Sequence, residues 1–461
     1  MLDQNIAREV LAEAVHTGGD FAEIFLEDRV NHGLSMRSGE LDEVTSQRLH
    51  GAGVRVFNGT KAIYVYTNDT SREGLMHCAS QAAAAIRGGK GTTPVGFSSW
   101  TAARPEEIRL LPTDVKAAVK AEKLRAADAA ARQYSPEIKQ VICGYSDSVQ
   151  DVLIANTEGT FVTDRRVYSR LRVSAVASNG TENQSGTDSP GASMGFELFD
   201  ERVDPERSAR IAAETAVTML HAPACPAGVM PVCIDNGFGG VIFHEACGHA
   251  LEATSVAFGT SVFSGKLGQQ IASPLVTAVD DGTIMNEWGS LHVDDEGMPT
   301  TKLVLIKDGI LTNYMIDKLG GRRMNMAPTG SGRRQSYAFA PTSRMRNTYI
   351  AAGNDDNDEM IATMGNGLYA KKMGGGSVNP ATGEFNFAVN EGYLVKDGKI
   401  VHPVRGASLI GRGNEILMRI DRVGKNMTMA QGMCGSVSGS IPTNVGEPMI
   451  RVTSITVGGG K

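Results

Sequence analysis

Residues 3–16 place Ile6, Val10 and Leu11 at helical spacing, which predicts an opening amphipathic helix. Short apolar and polar alternations broken by Gly and Asn then run from Phe21 to Asn68, the pattern of an antiparallel sheet. A helix is expected at about 70–87, with Gly88 and Gly89 suited to its C-terminal cap. The Ala-, Lys- and Glu-rich stretch 113–134 predicts another helix, 139–180 a β-meander, and 204–220 a helix with an acidic start. Further on, LVLIKDGILTNYMID (303–317) and YLVKDGKIVHPVRG (393–406) set an Asp-Gly pair between apolar alternations, so both read as hairpins. The run Asp355, Asp356, Asp358, Glu359 reads as a helix N-terminus. MGGGSVNP (373–380) lacks the Lys and Ser/Thr of a phosphate-binding loop and reads as a tight turn or flexible loop.

Residues 226–461 hold 36 of the 54 glycines, about twice the density of the preceding residues. The Pro-rich segment HAPACPAGVMPV lies where the composition changes, which puts a joint near residue 223. The expected fold class is α+β, with two domains built on large, mostly antiparallel β-sheets with flanking helices. They are an N-terminal α+β domain (1–223) and a C-terminal Gly-rich, β-rich domain (224–461).

The 461 residues include 41% hydrophobic and 21% charged positions, which excludes disorder of the whole chain. A net charge of −6 argues against sequence-independent nucleic-acid binding. No apolar run approaches the ~20 residues that cross a bilayer, so no membrane partner is expected. The first residues carry no cationic lead into an apolar core, so no secretory signal is expected. Six scattered cysteines without a CxxC pair suggest reduced thiols. A cytoplasmic location follows as an expectation.

The chemistry lies in GFGGVIFHEACGHALEATS (237–255). Neutral imidazole nitrogens bind Zn²⁺, and a carboxylate beside them can accept the proton of the attacking water. His244, Glu245 and His249 supply those groups with the histidines five apart, whereas the familiar helical motif spaces them four apart. At ~100° per residue, i and i+5 are about 140° apart on a regular helix, so the rings would diverge. A one-residue π-bulge restores the alignment, and Gly248 is a plausible place for it. A catalytic zinc takes three protein ligands and keeps one position open. The residues leave the third ligand open among Glu252, Asp280, Asp281, Cys247 and Cys434. Glu252 and Cys434 rank together, and Cys247 is expected to pack as a small apolar group.

HEACGHALEAT, the following VDDGTI, RMRNTY at 344–349 and the terminal GMCGSVSGSIPTNVGEPMIRV resemble the TldD/PmbA metalloprotease family. The likeness extends over nearly the whole chain. TldD-type members carry HExxxH and their PmbA (TldE)-type partners lack it, so this chain looks like the catalytic type. The resemblance implies that His244, His249 and Cys434 bind one zinc per catalytic chain and that Glu245 is the catalytic base. It also implies a homodimer, or a heterodimer with a PmbA (TldE)-type subunit, that cleaves unfolded or extended peptides in an enclosed cavity. Substrate pairing with an exposed strand would suit that role. The alternative is a non-catalytic zinc-containing peptide-binding or regulatory protein, in line with the older family name of DNA gyrase modulator. No direct nucleic-acid contact is expected.

Three other features carry expectations. Arg322, Arg323, Arg333, Arg334, Arg344 and Arg346 crowd 320–347, a segment readable as a mobile lid whose guanidiniums hold substrate carboxylates or a chain terminus, or as a solvated loop or a dimer contact. His292, beside Asp294, Asp295 and Glu296, reads as a surface histidine. The 20 methionines read as core filler rather than as the lining of a permissive peptide cavity.

Overall fold

The computed structural model describes residues 2–86, 88, 91–102, 108–379 and 382–459. Its first half is framed by β1 (Phe21–Arg37), β2 (Glu40–Asn58), β3 (Lys61–Thr67), β4 (Ile138–Asn156) and β5 (Thr160–Ser178), in the order β3-β2-β1-β4-β5. Each of those pairs is antiparallel. Ser98–Thr101 joins β5 in parallel, and Asn183–Asp188 and Gly191–Ala192 join it antiparallel.

Strand alternation assigns the two faces of this sheet. Ala22 and Ile24 of β1 pack under α1 (Gln4–Val15) and α2 (Arg72–Ala85), through Val10, Leu11, Leu75 and Ala79. Leu34 and Met36 share their parity and pack under α3 (Ala117–Tyr134) and α4 (Pro205–His221), through Leu124 and Ala212. Two helix pairs therefore cover the two ends of one face, and each buried Leu, Ile or Val contributes about 1.5–3 kcal/mol. The helices start close to where the sequence places them, and Asp3 caps α1 by accepting from the Asn5 and Ile6 amides. Gly89, expected to help cap α2, lies outside the described residues.

The second half contains two sheets. One is formed by β7 (Ala278–Asp281), β8 (Lys302–Lys307), β9 (Asn347–Ile350), β14 (Thr428–Ser436) and β15 (Gly439–Glu447), in the order β8-β7-β9-β15-β14. Ile310–Leu311 adds beyond β8, and only β9–β15 is parallel. The other contains β6 (Gly228–Ile234), β10 (Gly367–Asn379), β11 (Glu384–Lys396), β12 (Lys399–Val404), β13 (Ser408–Arg412) and β16 (Ile450–Gly458). Its order is β10-β6-β16-β13-β11-β12, and β11 also pairs with β10, closing a ring of five strands. The architecture is α+β, as the sequence predicts. Both Asp-Gly pairs form their hairpin turns, with Asp308, Gly309, Asp397 and Gly398 all at positive φ. Asp356 caps the helix Asn357–Ala362, as its acidic run suggests.

The triple glycine corrects one expectation. Gly374, Gly375 and Gly376 are not a loop but part of β10, whose register with β11 is bulged there. A Cβ at Gly376 would overlap Asn386 O and the Phe387 ring, so the missing side chain lets β11 approach. Pro380 lies outside the described residues.

The halves meet through charge. The face of the first sheet opposite its helices carries Glu23 and Glu27, which alternation alone would give to solvent, and both are buried. Arg55 Nη2 donates to Glu23 Oε2 at 2.9 Å and to Glu296 Oε1 at 2.6 Å. Arg334 Nη2 donates to Glu23 Oε1 at 2.7 Å, and Arg166 Nη1 to Asp295 Oδ1 at 2.6 Å. Burial pushes the Glu296 carboxyl up to about 8 even beside the Arg55 guanidinium. His292 belongs to this seam: it is largely buried rather than on the surface, with Nδ1 3.0 Å from Asp164 Oδ1. No helix among the described residues is long and apolar enough to cross a membrane.

Candidate metal centre

Residues 237–251 form one helical run of changing pitch. A 3₁₀ turn at Gly237–Gly240 leads into Val241–Phe243, and His244–Gly248 is then π-helical. The His249 amide donates to His244 O, five residues back, and this added residue carries His249 round to the His244 side. Gly248 has an ordinary helical φ of −58°, so its role is steric. A Cβ there would overlap Met345 Sδ, which packs against the helix from the Arg-rich segment.

The bulge brings the two imidazoles together with a thiol from the far end of the chain. His244 Nε2 is 3.2 Å and His249 Nε2 3.3 Å from Cys434 Sγ, and the three donor atoms lie within 4.8 Å of one another. Zn–S of about 2.3 Å and Zn–N of about 2.0–2.1 Å in a tetrahedron put sulfur and nitrogen about 3.5 Å apart. The observed spacing is within a few tenths of an ångström of that value, so these residues fit a zinc ion. Cys434 sits on the edge strand β14 opposite Ile441 of β15. Burial raises its thiol, but the two imidazoles outweigh burial and bring it down to about 3. Burial opposes protonation of His249, and Glu252 together with the Cys434 sulfur drives it well above its ordinary value. The donor set therefore includes a ready thiolate, the form that binds metal.

Glu252 is adjacent to the triad. Its Oε2 accepts from His249 Nδ1 at 3.1 Å, an arrangement that fixes ring orientation and leaves Nε2 free to ligate. Arg344 donates from Nη2 to Cys434 O at 2.5 Å and from Nη1 to Ser438 Oγ and Gly439 O, and its Nε lies 4.0 Å from Glu252 Oε1. One guanidinium thus bonds the hairpin bearing Cys434 and sets its charge near the carboxylate that orients His249, without a hydrogen bond between the two. Glu245 is about a third exposed, with Oε2 3.7 Å from His249 Nε2.

The other candidate ligands lie elsewhere. Cys247 is buried in the apolar core, which pushes its thiol far up. Asp280 accepts from Arg346 N and Nε, both at 2.7 Å, and Asp281 accepts from Thr283. The mobile-lid reading of 320–347 is corrected as well. Arg322 and Arg323 lie on the helix Lys318–Met324, and Arg333, Arg334, Arg344 and Arg346 are buried and bonded into the fold. Arg344 and Glu252 were missed as a linked pair, although RMRNTY and HALEAT each held one member.

Family models described as PmbA/TldA metallopeptidase domain 1, central domain and C-terminal domain match residues 22–86, 110–220 and 227–459. The chain is 38% identical over 453 residues to a Haemophilus influenzae protein named metalloprotease TldD homolog, covering 96% of this chain and 94% of that one. It is 34% identical to a Methanothermobacter thermautotrophicus metalloprotease, with 92% of each covered. In fold it resembles a Thermotoga maritima protein described as a proposed modulator of a DNA gyrase, with a TM-score of 0.81, 21% identity, and 99% and 100% of the two chains covered. It also resembles TldE from Thermococcus kodakarensis, with a TM-score of 0.78, 18% identity, and 98% and 99% covered.

Proposed function

The chain belongs to the PmbA/TldA metallopeptidase family, and from that premise we propose that it is a TldD-type, zinc-dependent peptidase acting on unfolded or extended peptides. The observation that carries this reading is the convergence of His244, His249 and Cys434 beside Glu245. His244 and His249 would hold Zn²⁺ through Nε2 and Cys434 through Sγ, one ion per chain. A bound zinc supplies Lewis acidity toward water and toward the scissile carbonyl. Glu245 takes the proton of the attacking water on its carboxylate and delivers it to the departing amine nitrogen. Glu252 keeps His249 turned toward the ion, and Arg344 holds the backbone of Cys434 in place.

The same reading divides the chain into domains 1–223 and 224–461, with the metal centre in the second. The three largest apolar clusters each lie on one side of residue 223, which supports the division, while a smaller one packs Val293 against Phe25, Val152 and Ile154 across it. It also takes the working form to be a cytoplasmic dimer, of two such chains or of one with a PmbA (TldE)-type subunit. Likeness to TldE supports a shared fold for the two partners.

A second reading is a zinc-containing peptide-binding or regulatory protein without catalysis. The Glu245 carboxylate accepts no hydrogen bond among the described residues, so no neighbouring side chain orients it, as a site without catalysis would allow. The words "modulator of a DNA gyrase" carried by a protein of similar fold point the same way. Zinc content and cleavage of an unfolded protein, compared for wild type and Glu245→Ala, separate the two. The peptidase reading expects about one zinc in both and cleavage by wild type alone. Zinc without cleavage, with or without a PmbA-type partner, favours the second.

A further inference from the structure

The helix-free face of the N-terminal sheet and the hairpin β14–β15 enclose a cavity of about 320 Å³. Met433, the residue before Cys434, lines it, and so does Ile441, which is paired with Cys434 across the hairpin. The cavity thus borders the hairpin that carries the thiol of the metal centre.

Two of its guanidiniums form no ion pair among the described residues. Among the described residues the side chain of Arg333, 2% exposed, donates only to Met345 O, at 2.7 Å. Arg170 donates to Ser189 O at 3.2 Å and Gln431 O at 3.0 Å, and lies 5.2 Å from the centre of the Trp288 ring. Among the described residues neither forms an ion pair, whereas Arg166 and Arg334 in the same wall are paired with Asp295 and Glu23. Burial, together with the nearby Arg172, brings Arg170 down to about 10. Burial lowers Arg333 to about 10 in spite of Tyr168 and Asp295. Both stay charged at neutral pH. A buried charge without a counter-ion, as at Arg333, is costly, and an anion bound beside it and the half-buried Arg170 offsets part of that cost. A planar guanidinium fork matches a carboxylate, and Trp288, Tyr168 and Met433 offer apolar contact to the organic group that carries it.

We propose that this cavity is a carboxylate-binding subsite for an extended peptide, taking either a C-terminal carboxylate or an acidic side chain. The peptide as carrier rests on the peptidase reading; the anion site itself does not.

The test measures binding of labelled pentapeptides to the zinc-loaded, full-length Glu245→Ala protein. Three peptides are compared: one with a free C-terminus, one amidated, and one amidated with an internal Glu. Cleavage by wild type is followed in parallel. A carboxylate is expected to tighten binding about tenfold or more, and Arg170→Gln in the same background to abolish that gain. Arg170→Lys, which keeps the charge, should retain part of it. Arg170 is used because fully buried Arg333 risks misfolding on substitution. A gain from the free terminus alone, or from the internal Glu alone, identifies the source. Equal binding of all three peptides, a gain that Arg170→Gln leaves intact, or displacement by inorganic phosphate as efficient as by a carboxylate peptide overturns the proposal. Cleavage without carboxylate preference removes the subsite and leaves the peptidase. Carboxylate preference without cleavage does the reverse.

Discussion

In a Glu252→Gln variant, zinc affinity is expected to fall about 10–100-fold, the usual effect of losing the outer carboxylate of a ligating histidine. Gln keeps the volume and an oxygen for His249 Nδ1, which lies 3.1 Å from Glu252 Oε2, so the change removes charge rather than shape. The fall corresponds to about 1.4–2.7 kcal/mol of binding energy. Arg344 also loses its nearest carboxylate, 4.0 Å away, while keeping Ser438, Gly439 and Cys434 oxygens as acceptors. At an effective dielectric of about 20 the Coulomb attraction at that distance is about 4 kcal/mol, and desolvation cuts the net effect on folding to about 1–3 kcal/mol. Competition with a chelator of known affinity reads the first quantity, and denaturant unfolding of the metal-free protein reads the second. Zinc affinity within twofold of wild type would refute the claim that Glu252 positions His249.

Three further outcomes are expected. Gly248→Ala puts a methyl into Met345 Sδ and should cost about 1–3 kcal/mol in denaturant unfolding while weakening zinc retention on dialysis. Arg346→Met leaves Asp280 buried without its guanidinium and should destabilise by about 3–5 kcal/mol, measured in the same way. Burial raises the carboxyl of Glu391, but Lys371, Lys372 and the Tyr393 hydroxyl hold it down to about 2. Because the folded value is depressed, this contribution is present above about 4.5 and is lost as pH falls toward about 2. It amounts to about 2 kcal/mol after allowing for the partly exposed lysines, and Glu391→Gln should flatten the stability-against-pH curve in that window.

Local signals made much of the fold legible. Helical spacing places α1 and α4, and the Asp308-Gly309 and Asp397-Gly398 turns announce their hairpins because positive φ at both positions suits those residues. The five-residue histidine spacing called for a π-bulge, and the His249 amide bonds to His244 O. What stayed hidden depends on contacts distant in sequence. Glu23 and Glu27 look like a solvated strand face until residues 293–337 cover them. The arginines of 320–347 look like a loop because their partners, Asp280, Glu23 and the Cys434 carbonyl, lie 66 to 311 positions away. The glycines of 374–376 suggested a turn, whereas Gly374 and Gly376 make room for Asn390 and for Asn386 and Phe387 on the neighbouring strand. From the residues alone Cys434 ranked level with Glu252. The structure puts Cys434 Sγ against both imidazole Nε2 atoms and Glu252 behind one of them.

Zinc K-edge X-ray absorption on the zinc-loaded full-length protein tests the proposed ligand set most directly. One sulfur at about 2.3 Å and two imidazole nitrogens at about 2.0–2.1 Å are expected, with the sulfur lost in Cys434→Ser. Stoichiometric zinc with no sulfur scatterer, or a sulfur that persists in Cys434→Ser, would contradict a centre built from His244, His249 and Cys434.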